Sequence, residues 1–98
     1  MEPVDDGRAL FAISVAADLV GTGVQNLRAY ERRGLVMPQR TEGGTRLYAQ
    51  ADIDRLRRIT ELLAAGLNLA GIESVFDLEQ ENARLRAELD RLRAARED

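Results

Sequence analysis

Five glycines between residues 21 and 44 limit this part of the chain to short secondary-structure elements. Gly21 and Gly23 interrupt one stretch of helical apolar spacing, Gly34 ends the next, and Gly43 and Gly44 follow a few residues later. Because glycine accepts positive φ and is a poor helix former, each of these positions indicates a turn or a helix end. The pattern predicts two short helices joined by a tight turn, the arrangement of a helix-turn-helix.

The two helices have recognisable ends. Ser14 is a good N-cap residue and is predicted to open the first helix, which Gly21 ends. The second helix is predicted from Val24 to Arg33, with Gly34 as its stop. Both helices are therefore short, and they follow each other closely.

A small hairpin is predicted after the second helix. Pro38 prevents the helix from continuing, and the stretch RTEGGTRLY, residues 40–48, has two glycines between residues that favour extended structure. We interpret it as the wing of a winged helix-turn-helix. A third helix is expected from Gln50 to Ala65, and Asn68 is a suitable N-cap for a further short helix.

The C-terminal segment carries an apolar heptad pattern that is typical of a coiled coil. The fold class predicted is mostly α, with a flexible acidic N-terminus (1–10), a winged helix-turn-helix domain (11–76) and a coiled-coil dimerisation helix (77–98). A single amphipathic helix packed on its own domain is the alternative for this helix. The predicted dimerisation residues are Val75, Leu78, Asn82, Leu85, Leu89 and Leu92.

Composition excludes most chemistry. The 98 residues include no cysteine and no histidine, which argues against thiolate or imidazole metal sites, disulfides and the usual nucleophile and base pairs. We therefore expect no enzyme activity, no cofactor and no metal. No apolar run approaches a membrane span, and the acidic first residues do not resemble a signal peptide, so a cytoplasmic location is expected.

The charge is distributed unevenly along the chain. The net charge is −3, but residues 25–58 contain eight arginines against four acids, whereas the segments on either side are acidic. In the second helix, Gln25, Arg28, Ala29 and Arg32 fall on one stripe. Such a face can enter the major groove of DNA, although an ordinary solvated surface explains the charge equally well.

The stretch VQNLRAYERRGLVMPQRTEGGTRLYAQADIDRL resembles the DNA-binding region of the MerR family of bacterial transcription regulators. It is most similar to the heat-shock repressor (HspR) branch. The positions that carry the resemblance are Leu27, Arg28, Tyr30, Glu31, Gly34, Leu35, Pro38, Arg40, Gly44, Arg46, Tyr48 and Asp52.

The resemblance implies binding to double-stranded DNA through the second helix and the wing. We expect the guanidinium groups of residues 25–33 and 40–48 to face outward together, free of carboxylates of the same chain. Tyr48 has an alternative role as a core aromatic residue. The DNA-binding residues predicted are Gln25, Asn26, Arg28, Tyr30, Arg32, Arg40, Gly44, Arg46 and Tyr48.

The resemblance further implies a homodimeric repressor on an inverted-repeat operator, with RNA polymerase and a chaperone as candidate protein partners. It implies an antiparallel coil, whereas the acids at g and the arginines at e favour a parallel one, so the orientation stays open. Two other functions are considered: an excisionase-like protein that bends DNA, and a protein-interaction module built on the coiled coil.

Overall fold

The computed structural model describes residues 9–97 as a mostly helical chain with a small antiparallel sheet, which confirms the predicted fold class. We call residues 9–76 the head, residues 77–97 the arm and residues 39–49 the wing. The elements in chain order are β1 (Leu10–Phe11), α1 (Ile13–Val20), α2 (Val24–Arg32), β2 (Gln39–Arg40), β3 (Arg46–Ala49), α3 (Gln50–Ala64) and α4 (Leu69–Glu97).

The turn between α1 and α2 follows the glycine pattern. Gly21 has φ 84°, and its N–H and that of Thr22 both donate to the carbonyl of Ala17, at 2.9 and 3.0 Å. A side chain would strain this left-handed conformation, which explains the glycine. The prediction that Ser14 caps α1 is wrong: Ala12 is the N-cap, because its carbonyl already accepts the N–H of Ala16 at 2.9 Å.

The sheet has the strand order β1-β3-β2, with β3 in the centre. Leu10 pairs with Ala49 in β1 and β3, while Arg40 pairs with Arg46 in β2 and β3. The strand β1 was not predicted from the sequence. The flexible N-terminus was expected to include residue 10, but Leu10 belongs to the sheet, and residues 1–8 lie outside the described residues.

The wing turns tightly between β2 and β3. Gly44 has φ 88°, and its N–H donates to the Thr41 carbonyl at 2.9 Å. The Thr45 N–H donates to Thr41 Oγ1 at 3.1 Å, and the Thr41 N–H donates to the Thr45 carbonyl at 2.9 Å. Of the two glycines at the tip, Gly44 is therefore the one whose backbone conformation needs glycine.

Helix α3 begins after Ala49, a residue without a capping side chain. The carboxylate of Asp52 accepts the backbone N–H of Ala49 at 2.8 Å, which supplies one half of a capping box. Helix α4 opens as predicted, with Asn68 Oδ1 accepting the N–H of Gly71 at 2.7 Å. It then runs without a break for 29 residues instead of forming a separate short helix before the coil.

The core lies in the head. Leu27 of α2 and Tyr48 of β3 are fully buried, and α4 contributes Ile72 and Phe76 from its first turns. No residue between Phe76 and residue 97 is buried, so α4 packs through its N-terminal part and then leaves the head. The buried residues are Ala16, Ala17, Leu27, Tyr30, Leu35, Val36, Tyr48, Ile53, Leu56, Ile59, Ile72 and Phe76.

Candidate nucleic-acid interface

Helix α2 exposes one polar face and buries the other. Leu27 and Tyr30 are buried in the core, and this anchors the helix on the head. Gln25, Arg28 and Arg32 are exposed, as their positions on the predicted stripe require. Arg28 and Arg32 are exposed, and neither makes an ion pair or hydrogen bond with any residue from 9 to 97.

The first turn of α2 carries a further polar residue. Asn26 is exposed, and its Nδ2 donates to Oγ1 of Thr22 at 2.7 Å. This bond connects α2 to the turn that precedes it. Gln25 and Asn26 thus lie at the N-terminal end of α2, the end that a recognition helix directs at bases.

The wing arginines do not project freely, which corrects the expectation that they are unpaired. Glu31 of α2 accepts a hydrogen bond from Arg40 Nη2 at 2.8 Å through Oε2, and from Arg46 Nε at 2.5 Å through Oε1. Arg40 Nη1 also donates to the carbonyl of Gly44 at 3.0 Å. The side chains of Arg40 and Arg46 are 45% and 26% exposed, so each keeps part of its surface in solvent.

Glu31 is stabilised in its charged form. The hydrogen bond from Arg46 is the main reason that the pKa of Glu31 is lowered; burial opposes it, and the hydrogen bond from Arg40 lowers the pKa further. The same hydrogen bond raises the pKa of Arg46. One carboxylate shared by two guanidinium groups leaves a net charge of +1, so this cluster still attracts a polyanion.

The two predicted tyrosines lie in the core. Tyr48 is fully buried, and Tyr30 is 5% exposed. The hydroxyl of Tyr48 has no hydrogen-bond partner among residues 9–97, and burial raises the pKa of Tyr48 and of Tyr30. Tyr48 thus corresponds to the alternative role of a core aromatic residue, because a phosphate could not reach its hydroxyl in this conformation.

Several arginines of the basic segment serve the packing of α4 instead. Arg33 forms an ion pair with Glu73, and Arg58 forms one with Glu79 at 2.7 Å. Arg55 donates to the carbonyl of Leu35, and its guanidinium lies 4.1 Å from the centre of the Phe76 ring. Three of the eight arginines of residues 25–58 therefore contact α4, which the sum of charges along the sequence could not show.

The predicted dimerisation residues lie along α4. Val75 is half-buried against the core, whereas Asn82 is exposed and accepts a hydrogen bond from Arg86 at 2.7 Å within the helix. The uncovered leucines are Leu78, Leu85, Leu89 and Leu92, between 46% and 69% exposed.

The charges beside this apolar strip are paired within the helix. Glu81 forms an ion pair with Arg84 at 2.6 Å, and Glu88 forms one with Arg91 at 2.5 Å. These are the acids that favoured a parallel coil in the sequence. Their spacing of three residues from an arginine was visible there and accounts for the pairs. The charge argument for a parallel orientation is correspondingly weaker.

Two further kinds of feature, a metal-ligand cluster and a membrane-spanning helix, are absent from residues 9–97. Between residues 9 and 97, no three acidic side chains come together in a way that could hold a metal ion. In the same range, none of the helices has the length and apolar character that crossing a bilayer demands.

Comparison with known proteins identifies what this arrangement resembles. A family model described as the MerR HTH family regulatory protein matches residues 11–79. A heat shock protein of Streptomyces coelicolor, HspR, is 46% identical over 88% of the chain and 58% of its own length. The transcriptional regulator GlnR of Bacillus cereus is 44% identical over 72% of the chain and 55% of its own length. The chain thus spans just over half the length of these two relatives.

Solved structures share the fold. A transcriptional regulator of the MerR family from Bacillus cereus superimposes with a TM-score of 0.66 at 29% identity, over 86% of this chain and 72% of that one. A second structure is that of HiNmlR, a MerR family regulator that lacks the sensor domain and was solved bound to promoter DNA. It gives a TM-score of 0.62 at 24% identity, over 85% of this chain and 77% of that one. With its winged helix-turn-helix head and the matching family model, the chain belongs to the MerR family of DNA-binding transcription regulators, which are not enzymes.

Proposed function

We propose that this protein is a homodimeric, sequence-specific repressor that binds an inverted-repeat operator overlapping a promoter. Each head reads one half-site with α2 and the wing, and the arms hold the two heads together. The observation that carries the proposal is the exposed face of α2, where Arg28 and Arg32 have no partner among the described residues, next to a wing whose Arg40 and Arg46 keep part of their surface in solvent.

The chemistry of this face suits DNA. Gln25 and Asn26 present amides that can pair with adenine edges, and Arg28 can donate to guanine or to phosphate. Arg40 and Arg46 on the wing suit the negative potential of a narrow minor groove. Phosphate contacts supply affinity, with a slope of about −0.9 in log K against log salt for each phosphate neutralised.

The arm supports the homodimer. Its leucines are about half exposed or more, and no described residue of the same chain covers them. A second copy offers an identical apolar strip, so two arms can bury each other as a short coiled coil. Two heads then meet two half-sites, which matches the symmetry of an inverted repeat.

One relative supports a regulatory role in stress, and one solved structure supports binding to a promoter. The heat shock protein HspR of Streptomyces coelicolor aligns with 88% of this chain. HiNmlR, which has the same fold without a sensor domain, is bound to promoter DNA. The candidate protein partners are RNA polymerase and a chaperone. RNA polymerase meets any protein that is bound over a promoter.

Substitution of the proposed contacts tests the assignment. We expect Arg28→Ala and Arg46→Ala to abolish operator binding, because a good arginine contact is worth about 1–3 kcal/mol and the dimer loses it twice. Arg96→Ala is the matched control: it removes the same charge from the exposed end of the arm. Gel-shift titration and circular dichroism of each variant measure affinity and helical content.

The outcomes are distinct. Loss of binding in the two head variants, with helical content and the Arg96→Ala titration unchanged, supports the proposal. Wild-type affinity in both head variants rejects the site. Footprinting on the bound duplex then separates an inverted repeat from tandem direct sites, which would instead indicate an architectural DNA-bending protein.

Crosslinking decides the direction of the coil. Leu78→Cys and Leu92→Cys place one thiol at each end of the strip. Disulfides within each single variant indicate parallel arms. Disulfides that form only when the two variants are mixed indicate antiparallel arms.

A further inference from the structure

We propose that Glu31 is a positioning residue of the DNA interface: its carboxylate holds two wing arginines against α2, so that the wing is ordered before DNA arrives. The inference rests on the proposed function, in which α2 and the wing bind DNA together. It assigns a role to a residue whose negative charge is, by itself, unfavourable on a surface that meets phosphates.

The strand register places two arginines opposite each other, and Glu31 offsets their repulsion. Arg40 of β2 lies directly opposite Arg46 of β3, and like charges in this position destabilise an antiparallel pair. Strand β2 has only two residues, so few backbone hydrogen bonds oppose the repulsion. Strand β3 is held by β1 and by the buried Tyr48, but β2 pairs with β3 alone at the edge of the sheet. Strand β2 therefore gains most from a stabilising contact outside the hairpin.

Glu31 provides that contact from the last turn of α2. Its two carboxylate oxygens accept from Arg40 at 2.8 Å and from Arg46 at 2.5 Å, and charge-assisted hydrogen bonds of this kind are stronger than neutral ones. Arg40 then donates to the carbonyl of Gly44 at 3.0 Å. A continuous set of polar contacts thus runs from α2 to the tip of the wing.

Helix stability does not explain an acid at this position. A negative charge in the last turn of a helix is unfavourable, because the C-terminal end of the helix dipole is itself negative. Glu31 occupies that turn, since α2 ends at Arg32. The benefit of Glu31 must therefore come from the wing.

The arrangement leaves the wing able to bind. Arg46 contacts Glu31 through Nε, and its two Nη atoms make no hydrogen bond with any residue from 9 to 97. A guanidinium group has five N–H donors, so most of those of Arg46 remain available. Glu31 thus fixes the side chain without occupying the donors that would meet DNA.

Two substitutions that remove the same charge provide the test. Glu31→Gln removes the charge that holds both arginines. Glu42→Gln removes one negative charge from the exposed tip of the wing, where Glu42 forms no ion pair within residues 9–97. Glu31→Asp is a third variant that keeps the charge but shortens the side chain, so that it no longer reaches both guanidinium groups.

Hydrogen exchange tests the order of the wing without DNA. The N–H groups of Thr41, Gly44 and Thr45 are hydrogen-bonded inside the turn. We expect Glu31→Gln and Glu31→Asp to lose protection at these amides, while Glu42→Gln exchanges as the wild type does and the amides of α3 are unchanged in all three. Unchanged protection in both Glu31 variants would overturn the proposal.

DNA binding tests the consequence. The probes are the duplex that the wild-type protein selects from a randomised pool, and a random duplex of equal length. We expect both Glu31 variants to bind the selected duplex about tenfold more weakly, while Glu31→Gln binds the random duplex at least as well as the wild type. We expect Glu42→Gln to keep wild-type affinity for the selected duplex or exceed it.

The contrary results are clear. If Glu31→Gln binds both duplexes more tightly and Glu31→Asp behaves as the wild type, the carboxylate only repels phosphate and the proposal is wrong. If the wild-type protein selects no sequence, sequence-specific regulation fails instead, and the exchange experiment still decides whether Glu31 orders the wing.

Discussion

The head and the arm differ in what surrounds their apolar side chains. In the head, Leu56 and Ile59 of α3 are fully buried among residues from several elements of the same chain. In the arm, Leu78 is 69% exposed and Leu85 is 51% exposed. The head therefore has a hydrophobic core of its own, whereas the leucines of the arm form an exposed apolar strip. The single chain thus buries many apolar side chains of the head and leaves the leucines of the arm exposed.

This difference matches the two functions that we propose, DNA binding by the head and dimerisation by the arm. A surface that reads DNA must be rigid, and α2 is held by Leu27 and Tyr30 on its inner face and by Glu31 at the wing. A surface that dimerises must be exposed in the single chain, and the leucines of the arm are exposed. Substitutions in the head and in the arm should therefore affect different properties of the protein.

Leu56→Ala should have the largest effect. This side chain is fully buried in the head, and replacing a buried leucine by alanine costs about 2–5 kcal/mol, from lost burial and from the cavity left behind. Urea unfolding followed by circular dichroism at a fixed protein concentration measures the loss. A change below about 1 kcal/mol would show that the head is not the tightly packed unit described here.

Leu85→Ala should act on association instead of on the fold of the head. Leu85 is half exposed in the single chain, and each dimer loses two such side chains. We expect self-association to weaken at least about tenfold, because an apolar contact of this size is worth more than 1.4 kcal/mol once a partner buries it. Sedimentation across a concentration series measures the change.

Unaltered self-association of Leu85→Ala would contradict the assigned role of the arm. The near-ultraviolet dichroism of the tyrosines is the control, since both tyrosines are in the head and should give an unchanged signal.

Asn68→Ala should have a moderate effect at the point where α4 begins. Asn68 Oδ1 caps the helix by accepting the N–H of Gly71, and loss of such a cap costs about 1 kcal/mol. Ser74→Ala, an exposed substitution in the same helix, is the control and should change the free energy of unfolding by less than about 0.5 kcal/mol. Equal stability of the two variants would mean that the cap contributes little.

Tyr48→Phe should have the smallest effect. The buried hydroxyl of Tyr48 has no hydrogen-bond partner among the described residues, so its removal leaves no further group unsatisfied. We expect an unchanged or slightly higher melting temperature and unchanged DNA affinity. A tenfold loss of DNA affinity at an unchanged melting temperature would show that the hydroxyl of Tyr48 contributes to DNA binding.

The sequence predicted the elements that local signals determine. Gly21 and Gly34 mark the ends of α1 and α2, and Asn68 marks the start of α4, because turn geometry and capping depend on neighbouring residues. The exposed stripe of α2 followed from helical spacing in the same way. These features need no knowledge of distant residues.

Features that depend on distant residues were missed or misjudged. Strand β1 has two residues, and it exists because Leu10 meets Ala49 far along the chain. The ion pairs of Glu31 join α2 to residues 9 and 15 positions later, beyond any helical spacing. Ser14 is an exception among the local signals: its residue type predicts a cap, but the carbonyl of Ala12 accepts the N–H of Ala16, so the helix begins earlier.

Amide chemical shifts recorded while the protein is titrated with the duplex that it selects report which surface meets DNA. We expect the changes to concentrate in α2 and the wing, to be strongest from Gln25 to Arg32 and around Arg46, and to leave residues 77–97 unaffected. Shifts that are largest along the arm, with α2 unaffected, would contradict the DNA interface proposed for the head.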